Sequence, residues 1–332
     1  MIDESILKDI ISEASLAPSA HNTQPVRVGY NKSDDSFTLS IDTKRELPIA
    51  DPTNKDAYIS MGCFVEGLEL SLLKRNYAID QIKFKPEKGI VFISTKKQPH
   101  PEITELQNYI FSRFCHRGKF RELTTENLAA LKEFYQQQEN CLWLYDPELK
   151  KEMAHDYDQA AWSYLNQDDY YQELHYWCRL DQNHSHYYKD GLNLDSMGLQ
   201  SWEKPFAKVI MKPNVLNFMK RIHMAKPLLS EADKTKSAAG LLVIHGKKED
   251  NFIQWGRIFY RQWLNLSKFQ AAGSPLSSLI DHSESIEKWE RKLNIPSDSK
   301  IINILRVGGF SEKDRPKRCR LDIESILQEE QV

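Results

Sequence analysis

The sequence predicts an α+β fold in which helices are interleaved with short antiparallel strands. Apolar residues recur at helical spacing through residues 4–15, which indicates an amphipathic helix. Residues 26–30 and 37–41 each alternate between apolar and polar side chains, which predicts a β-hairpin with one buried face. Residues 57–76 are apolar almost all round, which indicates a helix buried on most sides.

The alternation of helices and strands continues along the chain. We expect strands at 82–84, 90–93, 142–145, 239–245 and 301–307, and helices at 102–120 (a helix start), 128–134, 148–180 and 251–271. Residues 184–227 break the pattern, because glycines and prolines interrupt them repeatedly. Trp202 and Phe206 lie in this segment, and disordered linkers are poor in aromatic residues. The segment is therefore predicted to be a covering lid.

Length and composition restrict the class of protein. The 332 residues are enough for two compact domains, or for one domain built from two similar halves. A net charge of −2 argues against a nucleic-acid partner or a polybasic membrane surface. No apolar run has the length of a membrane span, and the first residues do not resemble a signal peptide, so we expect a cytoplasmic protein.

Five cysteines are scattered singly along the chain, without metal-ligand spacing. This pattern is typical of reduced thiols and predicts no metal site.

Residues 16–25, Leu-Ala-Pro-Ser-Ala-His-Asn-Thr-Gln-Pro, hold the most informative motif. Pro18 fixes its own φ, and the following Pro25 disfavours the helical region for Gln24. Ser19, Asn22 and Gln24 are then presented as hydrogen-bonding groups. Without further context, the same residues are also consistent with a helix start capped by Ser19.

This string resembles the loop by which nitroreductase-superfamily flavoproteins hold the isoalloxazine ring of FMN, written there as A-P-S-x-x-N-x-Q-P-W. The present chain departs from it at Val26, which stands where the family has tryptophan. Residues 51–62, Asp-Pro followed by Ile-Ser-Met-Gly, resemble a signature of the Acg-like branch, in which two nitroreductase-type halves are fused in one chain. The resemblance implies that Pro18, Ser19, Asn22 and Gln24 contact the cofactor.

A second motif contains two arginines four residues apart. Arg113 and Arg117 form a fork of the kind that grips a phosphate, although R-x-x-x-R alone is usually a solvated face. In context it resembles the R-x-T-N-R-x-x-F phosphate motif of the same branch. Cys115 stands in place of the threonine, His116 in place of the asparagine and Lys119 in place of a proline.

Two further stretches resemble the family near the end of the chain. Gly273 and Ser274 follow a predicted helix, where glycine ordinarily acts as a terminator, and resemble the family's helix–glycine–proline turn beside the flavin. The run that contains Arg318 and Arg320 resembles the R-x-G-Y…P-x-R-R-P ending, whose basic residues reach the FMN phosphate.

The resemblance implies a nitroreductase-like α-β-α sandwich whose two halves form an intramolecular pseudo-dimer. We expect a first half at 1–100 and a second half at 101–332, with the lid insertion at 184–227. The ring-facing motif is present only in the first half and the phosphate motifs only in the second. One complete flavin site per chain follows, so a monomer is sufficient and a homodimer is possible.

The implied function is transfer of hydride or electrons from NAD(P)H through FMN to a small acceptor such as a nitroaromatic or a quinone. Because the flavin carries the chemistry, no catalytic side chain is predicted. The alternative is an FMN-binding or flavin-sequestering protein with a lid and little turnover. The partners expected are small molecules, with no nucleic acid and no membrane; the sequence specifies neither the substrate nor the choice of NADH or NADPH.

Overall fold

A computed structural model describes residues 2–99 and 105–328 as two four-stranded antiparallel sheets and one short two-stranded parallel sheet, packed with helices. The helices are α1 Glu4–Ala14, α2 Lys55–Leu73, α3 Leu106–Tyr109, α4 Thr125–Gln136, α5 Pro147–Leu165, α6 Asp168–Trp177, α7 Lys204–Ile210, α8 Pro213–Arg221, α9 Ala225–Leu228, α10 Ala232–Ser237, α11 Phe252–Asn265, α12 Ser277–Asp281, α13 Ser283–Lys292 and α14 Ile323–Ile326. The strands are β1 Val26–Asn31, β2 Ser36–Ile41, β3 Tyr77–Lys85, β4 Ile90–Lys97, β5 Cys141–Leu144, β6 Cys178–Arg179, β7 Leu192–Asn193, β8 Gly240–Lys247, β9 Ala272–Pro275 and β10 Ser299–Gly308. The predicted α+β class is confirmed.

The first sheet has the order β1-β2-β4-β3, and each neighbouring pair is antiparallel. Phe37 and Leu39 of β2 and Val91 and Ile93 of β4 are buried on one face, as the alternating sequence predicts.

The second sheet has the order β5-β8-β10-β9 and is also antiparallel. Its strand β8 is buried from residue 240 to residue 246, so it forms part of the core on both of its faces. The continuous apolar run at 241–244 suits that position better than an alternating pattern would.

The two sheets share one arrangement of elements. A helix (α1 or α4) precedes the first strand, and a long helix (α2 or α11) lies between the second and third strands in chain order. The strand order is then the same in both sheets. A division into halves at residue 100 remains a prediction, since that residue lies outside the described ranges.

The helices α2 and α11 join the two units through a close crossing. A Cβ at Gly62 would lie 2.2 Å from the Ile253 carbonyl oxygen, and a Cβ at Gly256 would lie 2.1 Å from the Ile59 carbonyl oxygen. Because both backbones come this near, only glycine fits at either position.

Beside this crossing, a buried carboxylate bridges the two helices. Glu66 of α2 is fully buried and accepts hydrogen bonds from Nε of Arg257, at 3.1 Å, and Nε of Arg261, at 2.8 Å. The pairing satisfies a charge that would otherwise be costly to bury.

Several sequence-based expectations differ from the structure. The helix start at 102–120 is wrong over most of its length: α3 forms one turn, residues 110–120 contain no helix, and residues 102–104 lie outside the described ranges. The long helix at 148–180 is broken into α5 and α6 at residues 166–167. The segment 184–227 is irregular only at first, because its later part forms α7, α8 and α9, with Pro205 and Pro213 in first turns, where proline is tolerated.

The C-terminal segment crosses from the second sheet to the first. The backbone N–H of Gln328 donates to the Val28 carbonyl oxygen at 2.8 Å, which places the preceding residues against α1 and β1. This crossing brings Arg318 and Arg320 to the loop that follows α1.

Candidate functional site

The loop between α1 and β1 has an unusual backbone. His21, Asn22 and Gln24 all have positive φ, at 46°, 55° and 52°. Ser19 stabilises this shape, because its Oγ accepts the backbone N–H of Gln24 at 3.0 Å. Residues other than glycine rarely have a positive φ, and such backbone strain tends to occur at binding sites.

The amide side chains of this loop contact two distant segments. Nε2 of Gln24 donates to the Lys189 carbonyl oxygen at 2.8 Å, and its Oε1 accepts the backbone N–H of Leu321 at 2.9 Å. Nδ2 of Asn22 donates to the Gly191 carbonyl oxygen at 3.3 Å, and the Gly191 N–H donates back to the Asn22 carbonyl oxygen. The start of the predicted lid therefore lies directly on the loop.

Three arginines meet at the carbonyl end of α1. The Leu16 carbonyl oxygen accepts from Nη2 of Arg113 at 2.8 Å and from Nη2 of Arg320 at 2.9 Å. Nη2 of Arg318 donates to the backbone carbonyl of Arg113 at 2.9 Å. Nη1 of Arg320 also donates to Oδ1 of Asn22 at 2.9 Å, which links this arginine cluster to the loop.

The arginine cluster carries an excess of positive charge. Among the described residues, none of its three guanidinium groups forms a salt bridge, and their partners are backbone carbonyls and one amide. A helix C-terminus supplies only about half a negative charge, against three positive ones. Backbone carbonyls after α1 and after α3 therefore account for most of the hydrogen bonds but not for the charge.

The pKa values of the cluster reflect this imbalance. Burial, followed by the positive charges of Arg113 and Arg318, lowers the pKa of Arg320 to about 9. Burial, followed by Arg113, lowers the pKa of Arg318 to about 10. An anion placed among these groups would relieve the repulsion.

Arg113 is the most enclosed member of the cluster, with only 6% of its surface exposed. Its guanidinium carbon lies 4.7 Å from the ring centre of Trp263 and 5.6 Å from that of Tyr260. Nε of Arg113 is buried without a hydrogen-bond partner in the described residues. An orphaned donor on a buried cation is a second indication that an anion belongs there.

Arg117 does not join the arginine cluster. Its Nη1 donates to the Ser196 carbonyl oxygen at 3.2 Å, so it contacts the segment that follows β7. Burial, followed by the positive charge of Arg117, lowers the pKa of His21 to about 4. The sequence-based fork of Arg113 and Arg117 is thus split between two places, and Arg117 lies near the loop at His21.

Cys115, Gly273 and Ser274 come together between the loop after α3 and β9. The backbone N–H of His116 donates to the Gly273 carbonyl oxygen at 3.0 Å, and Sγ of Cys115 lies 3.8 Å from Oγ of Ser274. Oγ of Ser274 accepts from Nη2 of Arg306 at 3.1 Å.

Gly273 is not a helix terminator, contrary to the expectation from its sequence context. Gln270 holds the left-handed position that ends the helical stretch, with φ 51°. Gly273 lies in β9, and a Cβ there would lie 2.9 Å from Nε1 of Trp263. The glycine permits a close approach to this buried indole.

Arg306, which stands at the arginine of the R-x-G-Y part of the family ending, is 2% exposed and lies in an apolar strand. Its Nη2 forms a salt bridge with Glu231 at 2.9 Å. Burial alone would raise the pKa of Glu231, but Arg306 and Lys234 lower it to about 2.

The space beside the loop is small. Pro18, Ser19 and Gln24 line a cavity of about 20 Å³, closed on its other side by Phe64 and Ile326. That volume holds a single water molecule. Trp202 and Phe206 of the predicted lid are 69% and 63% exposed, so most of the surface of each is in contact with solvent.

Other classes of site find no support in the described part of the chain. No group of three or more His, Cys, Asp or Glu side chains there could hold a metal ion. The cysteines are all free. None of the described helices has the length and apolar character needed to cross a bilayer.

Comparison with known proteins finds similarity to nitroreductases. No family model matches the chain. A segment of 77 residues is 35% identical to the probable NAD(P)H nitroreductase PigM of Serratia sp. (strain ATCC 39006). The match covers 23% of this chain and 21% of that protein, so the chain spans about a fifth of its curated relative.

Solved structures give distant likenesses over a larger part of the chain. Oxidised iodotyrosine deiodinase bound to FMN and 3-iodo-L-tyrosine is 16% identical, with 65% of this chain and 95% of that chain covered and a TM-score of 0.34. The FMN- and NADPH-dependent nitroreductase NfnB from Sphigopyxis sp. strain HMH is 13% identical, with 69% and 100% covered and a TM-score of 0.36. A nitroreductase-like protein from Bacillus cereus is 11% identical, with 70% and 100% covered and a TM-score of 0.34.

The chain therefore resembles proteins of the nitroreductase family. Likenesses this distant do not extend to an activity or a cofactor.

The residues fit FMN at one end of the site. The arginine cluster has the unpaired charge and the orphaned donor that a terminal phosphate would satisfy. At the ring end, the amides of Asn22 and Gln24 are engaged by residues 189–191 and 321. A flat ring held by these amides would replace those hydrogen bonds.

Proposed function

We propose that the protein binds FMN and transfers electrons from NAD(P)H to a small acceptor such as a nitroaromatic or a quinone. The observation that carries the proposal is the arginine cluster, in which three guanidinium groups converge without a carboxylate among the described residues. The similarity to the probable nitroreductase PigM and the resemblance of residues 16–25 to a flavin-binding loop support it.

The roles assigned to the residues follow from their positions. Arg113, Arg318 and Arg320 would hold the phosphate by charge-assisted hydrogen bonds. Pro18, Ser19, Asn22 and Gln24 are assigned to the ring, since their loop is linked to the phosphate end through Arg320. When bound, the flavin supplies the hydride and electron transfer, and the protein supplies binding and orientation.

The four remaining residues are assigned more peripheral roles. Arg117 lies at the loop beside His21, while Cys115 and Ser274 are held by each other and by Arg306. Gly273 is assigned to the packing of Trp263 beneath Arg113.

Two measurements on the purified protein test the proposal. The flavin released by denaturation should be FMN and not FAD. Anaerobic titration with NADH and with NADPH should then bleach the flavin, and a nitroaromatic or quinone should restore its colour. Release of FAD, or a protein that neither carries nor takes up a flavin, would refute the proposal.

A second candidate function is that of an FMN-binding protein with little turnover. The observation in its favour is the closed state of the loop, with a cavity of about 20 Å³ and amides bonded to Lys189 and Gly191. A protein that retains FMN but exchanges no electrons with either nicotinamide or acceptor would support this candidate over the first.

A further inference from the structure

A second cavity lies next to the α1–β1 loop, which Arg45 of its lining contacts at the Thr23 carbonyl oxygen, and the arginine cluster does not line it. Its volume is about 480 Å³, which is within the range of small-molecule sites. The end of the β1–β2 hairpin forms one wall, and the stretch from the end of α6 to Asp190 forms the other. The cavity is lined by Arg27, Asp42, Lys44, Arg45, Tyr176, Trp177, Cys178, Arg179, His184, His186 and Asp190.

The lining has more cations than carboxylates. Arg27, Lys44, Arg45 and Arg179 carry four positive charges, while the two aspartates supply two negative ones, so two positive charges remain. Lys44 is exposed and has no salt-bridge partner among the described residues. The pKa of Arg27 is lowered, mainly by burial, although its ion pair with Asp42 acts to raise it.

Asp190 builds the rigid back of the cavity. It is 2% exposed and accepts from Nη2 of Arg179 at 2.7 Å, from Nη1 of Arg45 at 3.0 Å and from Nδ1 of His186 at 2.9 Å. Burial alone would raise its pKa, but these partners lower it. Asp190 is thus saturated with donors, and it holds the cations in place without neutralising the cavity.

Donors remain for a ligand. Both hydrogen bonds of the Arg45 guanidinium within the described residues use Nη1, to Asp190 and to the Thr23 carbonyl oxygen, which leaves its Nη2 available. Nδ1 of His184 accepts the backbone N–H of His186 at 3.0 Å, so the proton of a neutral His184 sits on Nε2. These groups suit the oxygens of a phosphate.

An aromatic surface completes the cavity. Tyr176 is 68% exposed at its rim, while Trp177 is packed between Arg45 and Arg179, whose guanidinium carbons lie 5.9 and 5.4 Å from its ring centre. An exposed ring beside a cationic pocket provides a stacking surface for a flat ligand.

We infer that this cavity binds a small phosphorylated ligand that carries a planar ring, as a nucleotide does. The site is separate from the arginine cluster, and the inference does not depend on FMN binding. Two kinds of molecule have this combination of phosphate and planar ring: a free nucleoside monophosphate and the 2′-phosphorylated adenosine end of a dinucleotide. Through Arg45 and Asp190, its occupancy is linked to Thr23 and Gly191 at the α1–β1 loop.

Isothermal titration of the full-length protein, with its flavin content recorded by absorbance, tests the inference. The probes are adenosine 5′-monophosphate, adenosine 2′,5′-bisphosphate, inorganic phosphate and adenosine. Both nucleotides should bind, inorganic phosphate should bind more weakly, and adenosine should bind least. Tighter binding of the bisphosphate assigns the site to a 2′-phosphorylated dinucleotide, and equal binding assigns it to a free nucleotide.

Two variants locate the binding. Replacing Arg27 and Lys44 together by Gln should weaken nucleotide binding by about a hundredfold, since each lost charge-assisted contact is expected to cost about tenfold. Tyr176→Ala should weaken binding of the nucleotides by about tenfold and leave binding of inorganic phosphate unchanged. The control replaces Lys83 and Lys85 of β3 by Gln, which removes the same charge from exposed positions elsewhere.

The inference is wrong if neither nucleotide binds to the folded protein, or if the Arg27/Lys44 and Lys83/Lys85 variants bind them equally well. It is also wrong if adenosine binds as tightly as its phosphates. Because binding is measured with the flavin content of each sample known, a failure here leaves the FMN proposal untouched, and the reverse also holds.

Discussion

At the scale of single residues, the main feature is the cluster of Arg113, Arg318 and Arg320. These arginines lie close together because two distant parts of the chain converge on the end of α1. Each guanidinium is hydrogen-bonded, so the cluster is well ordered without an anion. Burial, followed by the positive charge of Arg113, lowers the pKa of both Arg318 and Arg320. Good hydrogen bonding combined with uncompensated charge is the arrangement expected of a preformed anion site.

The first prediction concerns these side chains. Arg318→Gln and Arg320→Gln should each lower FMN affinity by about tenfold or more, because a hydrogen bond to a charged group is worth about 1.5–3 kcal/mol. Arg121→Gln is the control, since Arg121 lies outside the cluster and its side chain is 64% exposed. Fluorescence titration of flavin-free protein measures the affinities. Equal FMN affinity in all three variants would show that the arginine cluster does not bind the flavin.

The second prediction concerns Asp51, which is 6% exposed and accepts the backbone N–H of Ala57 at 2.9 Å. Burial, followed by the charge of Asp56, raises its pKa to about 7. The folded state therefore holds a proton that the unfolded chain releases near pH 4, and the stability from this group is lost as pH rises from about 4 to 7.

Asp51→Asn keeps an oxygen acceptor but does not titrate. The free energy of unfolding of the variant, relative to wild type, should rise between pH 4 and 7 and then level off. The rise should be a few kcal/mol, since one pKa unit corresponds to about 1.4 kcal/mol. Urea unfolding at a series of pH values measures it. Parallel curves for the two proteins would contradict the assigned pKa.

At the scale of elements, the crossing of α2 and α11 connects the two sheets. The close approach at Gly62 and Gly256 brings Glu66 within reach of Arg257 and Arg261, which follow Gly256 by one and five residues. The crossing is the main direct packing between the two units, so its disruption should affect the whole fold.

The third prediction follows from that geometry. Gly62→Ala should lower the free energy of unfolding by about 3 kcal/mol or more, because the added Cβ meets backbone atoms that cannot rotate away. Gly29→Ala in β1 is the control, since a Cβ there would lie at an ordinary 3.7 Å from Thr38. Thermal and urea unfolding measure both variants. A Gly62→Ala protein as stable as Gly29→Ala would show that the helices are not this close.

The fourth prediction concerns residues 184–227. We expect a Gly-Ser bridge in their place to speed reduction of the flavin by dithionite or NAD(P)H and to widen the range of nitro compounds accepted, because residues 189–191 hold the amides of Asn22 and Gln24. Stopped-flow absorbance measures the rates. Unchanged rates in a folded, flavin-loaded variant would assign this segment to the scaffold.

Local patterns in the sequence were sufficient for most of the elements. The hairpin at 26–41 and the buried helix at 57–76 were predicted because alternation and apolar content are local properties. Gly273 was misassigned because Gln270 accepts a left-handed backbone that sequence reasoning reserves for glycine.

The sites depend on long-range contacts and were predicted less completely. Arg113, Arg318 and Arg320 were grouped by a family resemblance, and their contacts are consistent with the grouping, although the roles stay predictions. The pairing of Arg45 with Asp190 joins residues 145 positions apart, and no local pattern indicates it.

At the scale of the whole molecule, two units with the same strand order present unequal loops. The loop between α1 and β1 runs through residues 15–25, while the corresponding loop between α4 and β5 has only residues 137–140. Four residues are too few for a ten-residue ring-binding motif. This asymmetry supports the proposal of a single flavin site in each chain.

The fifth prediction is a stoichiometry of one FMN per chain, with a monomer sufficient for binding. Flavin absorbance against protein mass gives the ratio, and light scattering of the same sample gives the oligomeric state. Two flavins per chain would show that the shorter loop also supports a site, and flavin binding only in a dimer would show that one chain does not complete it.

The most direct test of the central claim compares FMN with riboflavin, which has the same ring but no phosphate. If the arginine cluster is a phosphate site, flavin-free protein should bind FMN at least about a hundredfold more tightly, since at least two charge-assisted hydrogen bonds are at stake. The difference should shrink in Arg318→Gln and Arg320→Gln. Equal affinity for FMN and riboflavin in the wild-type protein would contradict the claim.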